Sequence, residues 1–231
     1  MCFRKADTAL FSLVCLPHAG GNETAFRHWA AHLPENVGLY AARYPGRLGR
    51  YPAARSLAEL AAPVFRAVCE LREPVILFGH SMGAVVAHAV TVFLEQAGRG
   101  PRTLAISGRE APQLAARTPV PTDDDSLLSS VGRLGGISEA LLADPEMRDL
   151  ILAPLRADAR LLNTTLGHPA RPVATGIIAY LGIDDPGCTP AQIEGWRALT
   201  TGSFRLRMLA GDHFSPLASP AELLSDLCRH G

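Results

Sequence analysis

Val75-Ile76-Leu77-Phe78-Gly79-His80-Ser81-Met82-Gly83-Ala84 decides how this chain is read. Residues 75–78 form a short apolar run suited to a buried strand, and residues 84–96, stopped by Gly98, suit a helix. A strand that turns directly into a helix strains the residue at its corner, and bulk two positions to either side of that residue would collide. Gly79 and Gly83 remove that bulk, and the residue between them is Ser81. The turn holds the serine hydroxyl at the carboxyl edge of a sheet, with the amino-terminal partial charge of the following helix aimed at whatever reacts there. A Gly-x-Ser-x-Gly match alone is weak, since short patterns recur by chance. Its weight comes from the strand before it and the helix after it.

The same alternation extends to both sides. Residues 11–16, 37–42, 103–106, 174–181 and 204–209 are further strand candidates. Helical spacing appears at Phe26, Trp29, Ala30 and Leu33, and again at Leu57, Leu60, Ala61, Val64, Val68 and Leu71, where Ser56 is the expected N-cap with Glu59 three residues on. A last helix is expected over residues 221–228. Strands alternating with helices predict an α/β fold, a mostly parallel sheet of about six or seven strands flanked by helices, in a single domain over residues 1–231. Residues 112–171 break the rhythm. They offer short helical stretches at 126–134 and 138–142, separated by Gly135, Gly136, Pro145 and Pro154, and residues 113–171 are read as a helical lid inserted in the domain.

Composition narrows the function classes. Hydrophobic residues at 48% and charged residues at 19% fit a globular domain of 231 residues. Twenty-two basic residues balance 22 acidic ones, so no global field draws the protein to nucleic acid or to an anionic membrane. The five cysteines form no zinc-ligand spacing and suit a reducing cytosol better than a disulfide framework. Residues 1–9 lack a signal-peptide core, and no stretch approaches the roughly 20 apolar residues of a membrane span. The expectation is a cytoplasmic, soluble monomer with no metal and no cofactor.

A serine nucleophile at a strand–helix corner requires a base and an acid, the acid earlier in the chain and each on a loop after a later strand. Asp185 follows the 174–181 strand in Gly182-Ile183-Asp184-Asp185-Pro186, with Asp184 as the alternative. His213 follows the 204–209 strand in Gly211-Asp212-His213-Phe214. Asp212 directly precedes the base, so its side chain is expected to face elsewhere, toward solvent. His18 and His80 flank the site but precede the acid. Negative charge developing on a tetrahedral intermediate needs preorganised amides. Met82, the residue after the nucleophile, supplies one, and the loop 17–21 supplies the other, from Ala19 or alternatively Gly20.

With these motifs the chain resembles the stand-alone type II thioesterases of polyketide and non-ribosomal peptide biosynthesis. The matching residues are Leu16-Pro17-His18-Ala19-Gly20-Gly21, Tyr44-Pro45-Gly46-Arg47, Gly79-His80-Ser81-Met82-Gly83-Ala84, Ser107-Gly108-Arg109-Glu110-Ala111-Pro112, Arg156-Ala157-Asp158, the 182–186 turn with Trp196 after it, and Gly211-Asp212-His213-Phe214. The resemblance implies an α/β-hydrolase fold with a helical lid, a triad of Ser81, Asp185 and His213, and oxyanion amides at Ala19 and Met82. It also implies the substrate: an acyl group held as a thioester on the phosphopantetheine arm of an acyl or peptidyl carrier protein. A small-ester esterase or an acyltransferase would use the same triad, and a non-catalytic binding protein would use the same fold. Gly187 and Cys188 depart from the pattern, which has an apolar residue after the acid turn. No physical role is assigned to Arg109 or Arg156. Arg43, Arg47, Arg50 and Arg55 form a basic cluster, read as a solvated face in preference to a carrier-docking patch.

Overall fold

A computed structural model describes residues 1–6, 8–47, 52–115, 119–136 and 144–230. Seven strands form one sheet: β1 (Cys2–Arg4), β2 (Phe11–Leu16), β3 (Val37–Ala41), β4 (Val75–His80), β5 (Thr103–Ser107), β6 (Ile177–Gly182) and β7 (Phe204–Leu209). The spatial order is β1-β3-β2-β4-β5-β6-β7, with every neighbour parallel except β1, which runs antiparallel to β3. Strands β2, β4, β5 and β6 are buried along their whole length, as parallel strands covered on both faces must be. The edge strand β7 is only half-buried over most of its length, and Arg205 and Arg207 reach Asp226 on the last helix.

One face of the sheet is covered by α1 (Leu57–Cys69) and α2 (Met82–Gln96), packed around Leu60, Val68, Val86, Val90 and Leu94. Ser56 caps α1 by accepting the Glu59 N–H. The other face carries Phe26 and Trp29, and Leu223, Leu224 and Leu227 from α8 (Ala221–His230). Between β5 and β6 lie α3 (Pro112–Ala115), α4 (Asp124–Arg133) and α5 (Pro145–Thr164), the last two packed through Leu127, Leu128, Leu152 and Ala159. Two short helices complete the fold: α6 (Pro190–Glu194), running into a 3-10 turn Gly195–Leu199, and α7 (Ser215–Ala218). Among the described residues no helix is long and apolar enough to cross a membrane.

Four expectations need correction. The stretch around Phe26 winds as a 3-10 helix over Glu23–His32, because its buried residues Glu23, Phe26 and Trp29 recur every third position, the spacing at which 3-10 side chains eclipse. The strand expected from residue 174 begins at Ile177, since the Ala174 and Thr175 amides donate to the Glu95 carboxylate (2.9 and 2.7 Å) and are lost to the ladder. Pro145 marks a helix boundary as expected, but Pro154 does not. Pro145 opens α5, where its missing N–H costs nothing, and Pro154 sits within the same 20-residue helix, leaving unserved only the carbonyl of the exposed Leu150. The charged N-terminus also contributes β1, which its length concealed. The short helix expected at 138–142 lies outside the described residues.

Candidate active site

The corner after β4 has the strained geometry its sequence demands. Ser81 has φ 54° and ψ −119°, the one positive φ at a non-glycine among the described residues. Its own N–H donates to Ser107 O at 2.8 Å, which ties the corner to β5. A Cβ on Gly83 would overlap the Leu16 carbonyl oxygen, and one on Gly79 would overlap the Gly83 carbonyl. These two glycines therefore let the start of α2 press against the end of β2 and bring the amino-terminal amides of α2 beside the loop 17–21. Met82 opens the helix, so its N–H lies ahead of the helical ladder.

The loops after β6 and β7 meet at the same edge. His213 Nδ1 lies 2.8 Å from Asp185 Oδ2, with both side chains almost fully buried, at 2% and 1% exposure. The second Asp185 oxygen accepts the Gly187 N–H at 2.7 Å. The glycine that departed from the expected pattern thus braces the acid loop, and a Cβ there would sit 2.6 Å from Leu134 Cδ2. Asp184 is exposed and takes no part. Asp212 accepts from the Phe214 and Ser215 N–H groups and from the Ser215 hydroxyl, which hold its carboxyl below the usual aspartate range. With Nδ1 committed to Asp185, His213 Nε2 is buried with no hydrogen-bond partner among the described residues.

His213, Ser81, His18, Ala19 and Gly20 share a cavity of about 450 Å³, walled by Val131 and Leu134 of the α4 region, Ile151, Pro154 and Leu155 of α5, and Phe214. The size suits a small organic group, and the walls are mostly apolar. Two further histidines lie near His213. The His80 ring lies 4.8 Å from that of His213, and the His18 ring 5.0 Å from that of Phe214. Burial, then the neighbouring His213, push both toward neutrality, His18 to about 4 and His80 well below its ordinary value. Neutral neighbours add no positive charge beside His213.

In the loop 17–21 the amides of Ala19 and Gly20 are engaged differently. The Gly20 N–H donates to Asp158 Oδ2 at 2.8 Å and is consumed there, whereas no acceptor among the described residues takes the Ala19 N–H. Asp158 also receives Arg47 Nη2 at 2.5 Å, and Arg47 Nε donates to Gly21 O at 2.8 Å. Arg47 is thus buried and no part of a solvated basic face, while the exposed Arg43 pairs with the buried Glu23 and Arg50 lies outside the described residues. Sequence reasoning missed Asp158 because its partners are 138 and 111 residues away. The Arg156-x-Asp158 match was its only signal. Arg156 itself pairs with Asp124 at 2.5 Å and ties α5 to α4. The Arg109 carbonyl accepts Trp196 Nε1 at 2.8 Å, and burial lowers the basicity of its guanidinium.

A family model described as a thioesterase domain matches residues 11–230. The "Probable cadicidin biosynthesis thioesterase" of Streptomyces griseus is 38% identical over 216 residues, which cover 92% of this chain and 60% of that protein. Among solved structures, RedJ, a thioesterase from the prodiginine biosynthetic pathway in Streptomyces coelicolor, superposes with a TM-score of 0.85 at 36% identity, covering 95% of this chain and 89% of RedJ. YbtT, a type II thioesterase from the yersiniabactin NRPS/PKS pathway, superposes with a TM-score of 0.87 at 29% identity, covering all of this chain and 96% of YbtT.

Proposed function

The chain belongs to the thioesterase family, hydrolases of thioesters, and on that premise we propose that it releases acyl groups from the phosphopantetheine arm of an acyl or peptidyl carrier protein through Ser81, His213 and Asp185. Aberrant or stalled acyl groups on polyketide or non-ribosomal peptide assembly lines are the intended substrates, and the protein acts as a cytoplasmic monomer. Residues 113–171 serve as the lid, and the apolar cavity beneath it receives the acyl chain.

Ser81 Oγ adds to the thioester carbonyl carbon while His213 Nε2 takes its proton. Asp185 holds Nδ1–H, fixing the tautomer that leaves Nε2 basic and stabilising the imidazolium. The Ala19 and Met82 amides meet the developing oxyanion. The tetrahedral adduct collapses, the C–S bond breaks, and the pantetheine sulfur leaves with the proton returned from His213. Thiols ionise near pH 8.5, so this departure needs less acid assistance than that of an amine. Water, deprotonated by His213, then attacks the acyl-Ser81 ester, and the acid product departs with Ser81 restored.

The observation that carries this reading is the state of His213: one nitrogen is bound to Asp185, and the other has no partner among the described residues, in a ring that lines the cavity shared with Ser81. The test offers carrier proteins loaded with acetyl to long-chain acyl groups and follows release by mass spectrometry. Ser81→Ala should lower turnover by about 10⁴-fold or more, and Asp185→Asn by about 10⁴-fold. Hydrolysis by Ser81→Ala at the wild-type rate would end the proposal.

A further inference from the structure

Two motifs are left over once the triad is assigned, Tyr44-Pro45-Gly46-Arg47 and Arg156-Ala157-Asp158. They converge on the loop that presents the Ala19 amide. The Tyr44 hydroxyl donates to Pro17 O at 3.3 Å, Arg47 Nε to Gly21 O at 2.8 Å, and the Gly20 N–H to Asp158 Oδ2 at 2.8 Å. Arg47 Nη2 closes the circuit on the same Asp158 oxygen at 2.5 Å. The loop is thus tied on both sides of Ala19 by side chains that are themselves buried: Arg47 is 7% exposed and Asp158 4%. Leu155, one turn before Asp158, presses on the same loop, since a Cβ on Gly20 (φ +72°) would lie 2.8 Å from its Cδ2. A paired charge of this kind, shielded from water, holds direction far better than a surface ion pair does.

We infer that Asp158, bridged by Arg47, is a positioning residue for the oxyanion hole, fixing the direction of the Ala19 amide and linking it to the helix α5. The inference rests on the proposed function, because the hole has work to do only if Ser81 forms a tetrahedral adduct. Asp158 touches no reacting atom. It spends the Gly20 N–H, so of the two neighbouring amides Ala19 and Gly20 only that of Ala19 stays unused among the described residues, and it makes the placement of that amide depend on α5. Helix α5 also contributes Ile151, Pro154 and Leu155 to the cavity wall, so the wall that meets the acyl group and the donor that meets its oxygen are parts of one rigid unit.

Asp158→Asn keeps the size of the side chain and an acceptor oxygen but removes the charge. Arg47→Lys keeps the buried positive charge but cannot span Gly21 O and Asp158 together. An interaction made only with the transition state shows in kcat and leaves KM alone. On an acyl-pantetheine substrate, Asp158→Asn should therefore lose at least about tenfold in kcat, toward the roughly 10²–10³ of an absent donor, with KM within about twofold. The decisive probe is a trifluoromethyl ketone analogue of the thioester. Ser81 Oγ adds to its carbonyl carbon, the proton passes to His213, and the resulting oxyanion needs the hole; the hemiketal is read by ¹⁹F NMR. Its affinity should fall by the same factor as kcat, whereas a trigonal amide analogue, which builds no oxyanion, should bind as before. Arg47→Lys should move the same quantities in the same direction and covers the case in which Asp158→Asn does not fold. A lowered Tm with wild-type kcat and ketone affinity per folded molecule would overturn the positioning role. A wild-type protein that forms no hemiketal at all would overturn the proposed function instead, so the two failures are distinguishable.

Discussion

Ser81 holds a positive φ that a Cβ makes costly by about 1–3 kcal/mol, and the fold sustains it because β4 enters and α2 leaves without an intervening residue. Removing the Cβ relieves that strain, and the greater freedom of glycine in the unfolded chain returns part of the gain. Ser81→Gly should therefore be more stable than Ser81→Ala by roughly 1 kcal/mol, a rise of about 2–4 °C in Tm measured side by side. Equal melting temperatures would show that the corner is not strained. The base depends on a different economy of contacts. Asp185 uses one oxygen on His213 and the other on the Gly187 N–H, so the carboxylate cannot rotate away without losing both. Which of two adjacent aspartates faces the histidine is a matter of which way a turn residue points. Asp184 and Asp185 are indistinguishable by type, and only the fold turns one of them inward.

Among the arginine–aspartate pairs that helix α5 carries, two are of opposite worth. Arg156 and Asp124 meet at the surface, with 33% and 40% of their side chains exposed, whereas Arg47 and Asp158 are each 5% exposed. Surface pairs gain little because water screens them. A buried charge stripped of its partner keeps its full desolvation penalty. Arg156→Ala should leave the urea midpoint nearly unchanged, while Arg47→Ala should cost about 3–5 kcal/mol. Helix α2 contains a comparable hidden sensitivity. His88 packs beside Trp196 (ring centroids 5.7 Å apart), and burial lowers its pKa from 6.5 to about 4, against weaker opposition from the Arg171 backbone and Glu95. The unfolded imidazole takes a proton near 6.5 and the folded one only near 4, so the unfolded state binds more protons in between. Stability present above that window should fall by up to roughly 3 kcal/mol as pH drops through it. His88→Leu should lessen the dependence of urea midpoint on pH, with His18 and His80 retaining a share of it, and an unaltered slope would assign the loss elsewhere.

Across the whole molecule, the cavity lies between two bodies of different construction: the carboxyl edge of the sheet, and the helices α4 and α5 with their own small apolar core. On the proposed mechanism the sheet edge supplies chemistry, through Ser81, His213 and the loop 17–21. The helices supply shape. Enlarging a helix-side wall should accordingly alter which acyl group is accepted without touching the reaction. Ile151→Phe should lower kcat/KM for long acyl chains by about tenfold relative to acetyl, measured on loaded carriers, with fluorophosphonate labelling of Ser81 unchanged. An equal loss for every chain length would place the bound acyl group outside this cavity.

Local rules carried much of this molecule. The six longer strands, the helices that cover them and the strained corner at Ser81 follow from apolar periodicity and from glycine two positions to either side of a serine. Those signals act over a few residues, so a sequence displays them directly. The 3-10 winding after Asn22 and the late start of β6 were less legible, because each answers to a partner from elsewhere: the sheet beneath Phe26 and Trp29, and the Glu95 carboxylate from α2. The length of α5 escaped for another reason, since a proline at position 154 reads locally as a stop and tertiary packing outweighs the one hydrogen bond it removes. What tertiary structure alone decided is the circuit of Asp158, Arg47 and the loop 17–21. Charge complementarity has no period and no preferred separation along a chain, so two buried ions 111 residues apart become a pair only when folding encloses them together.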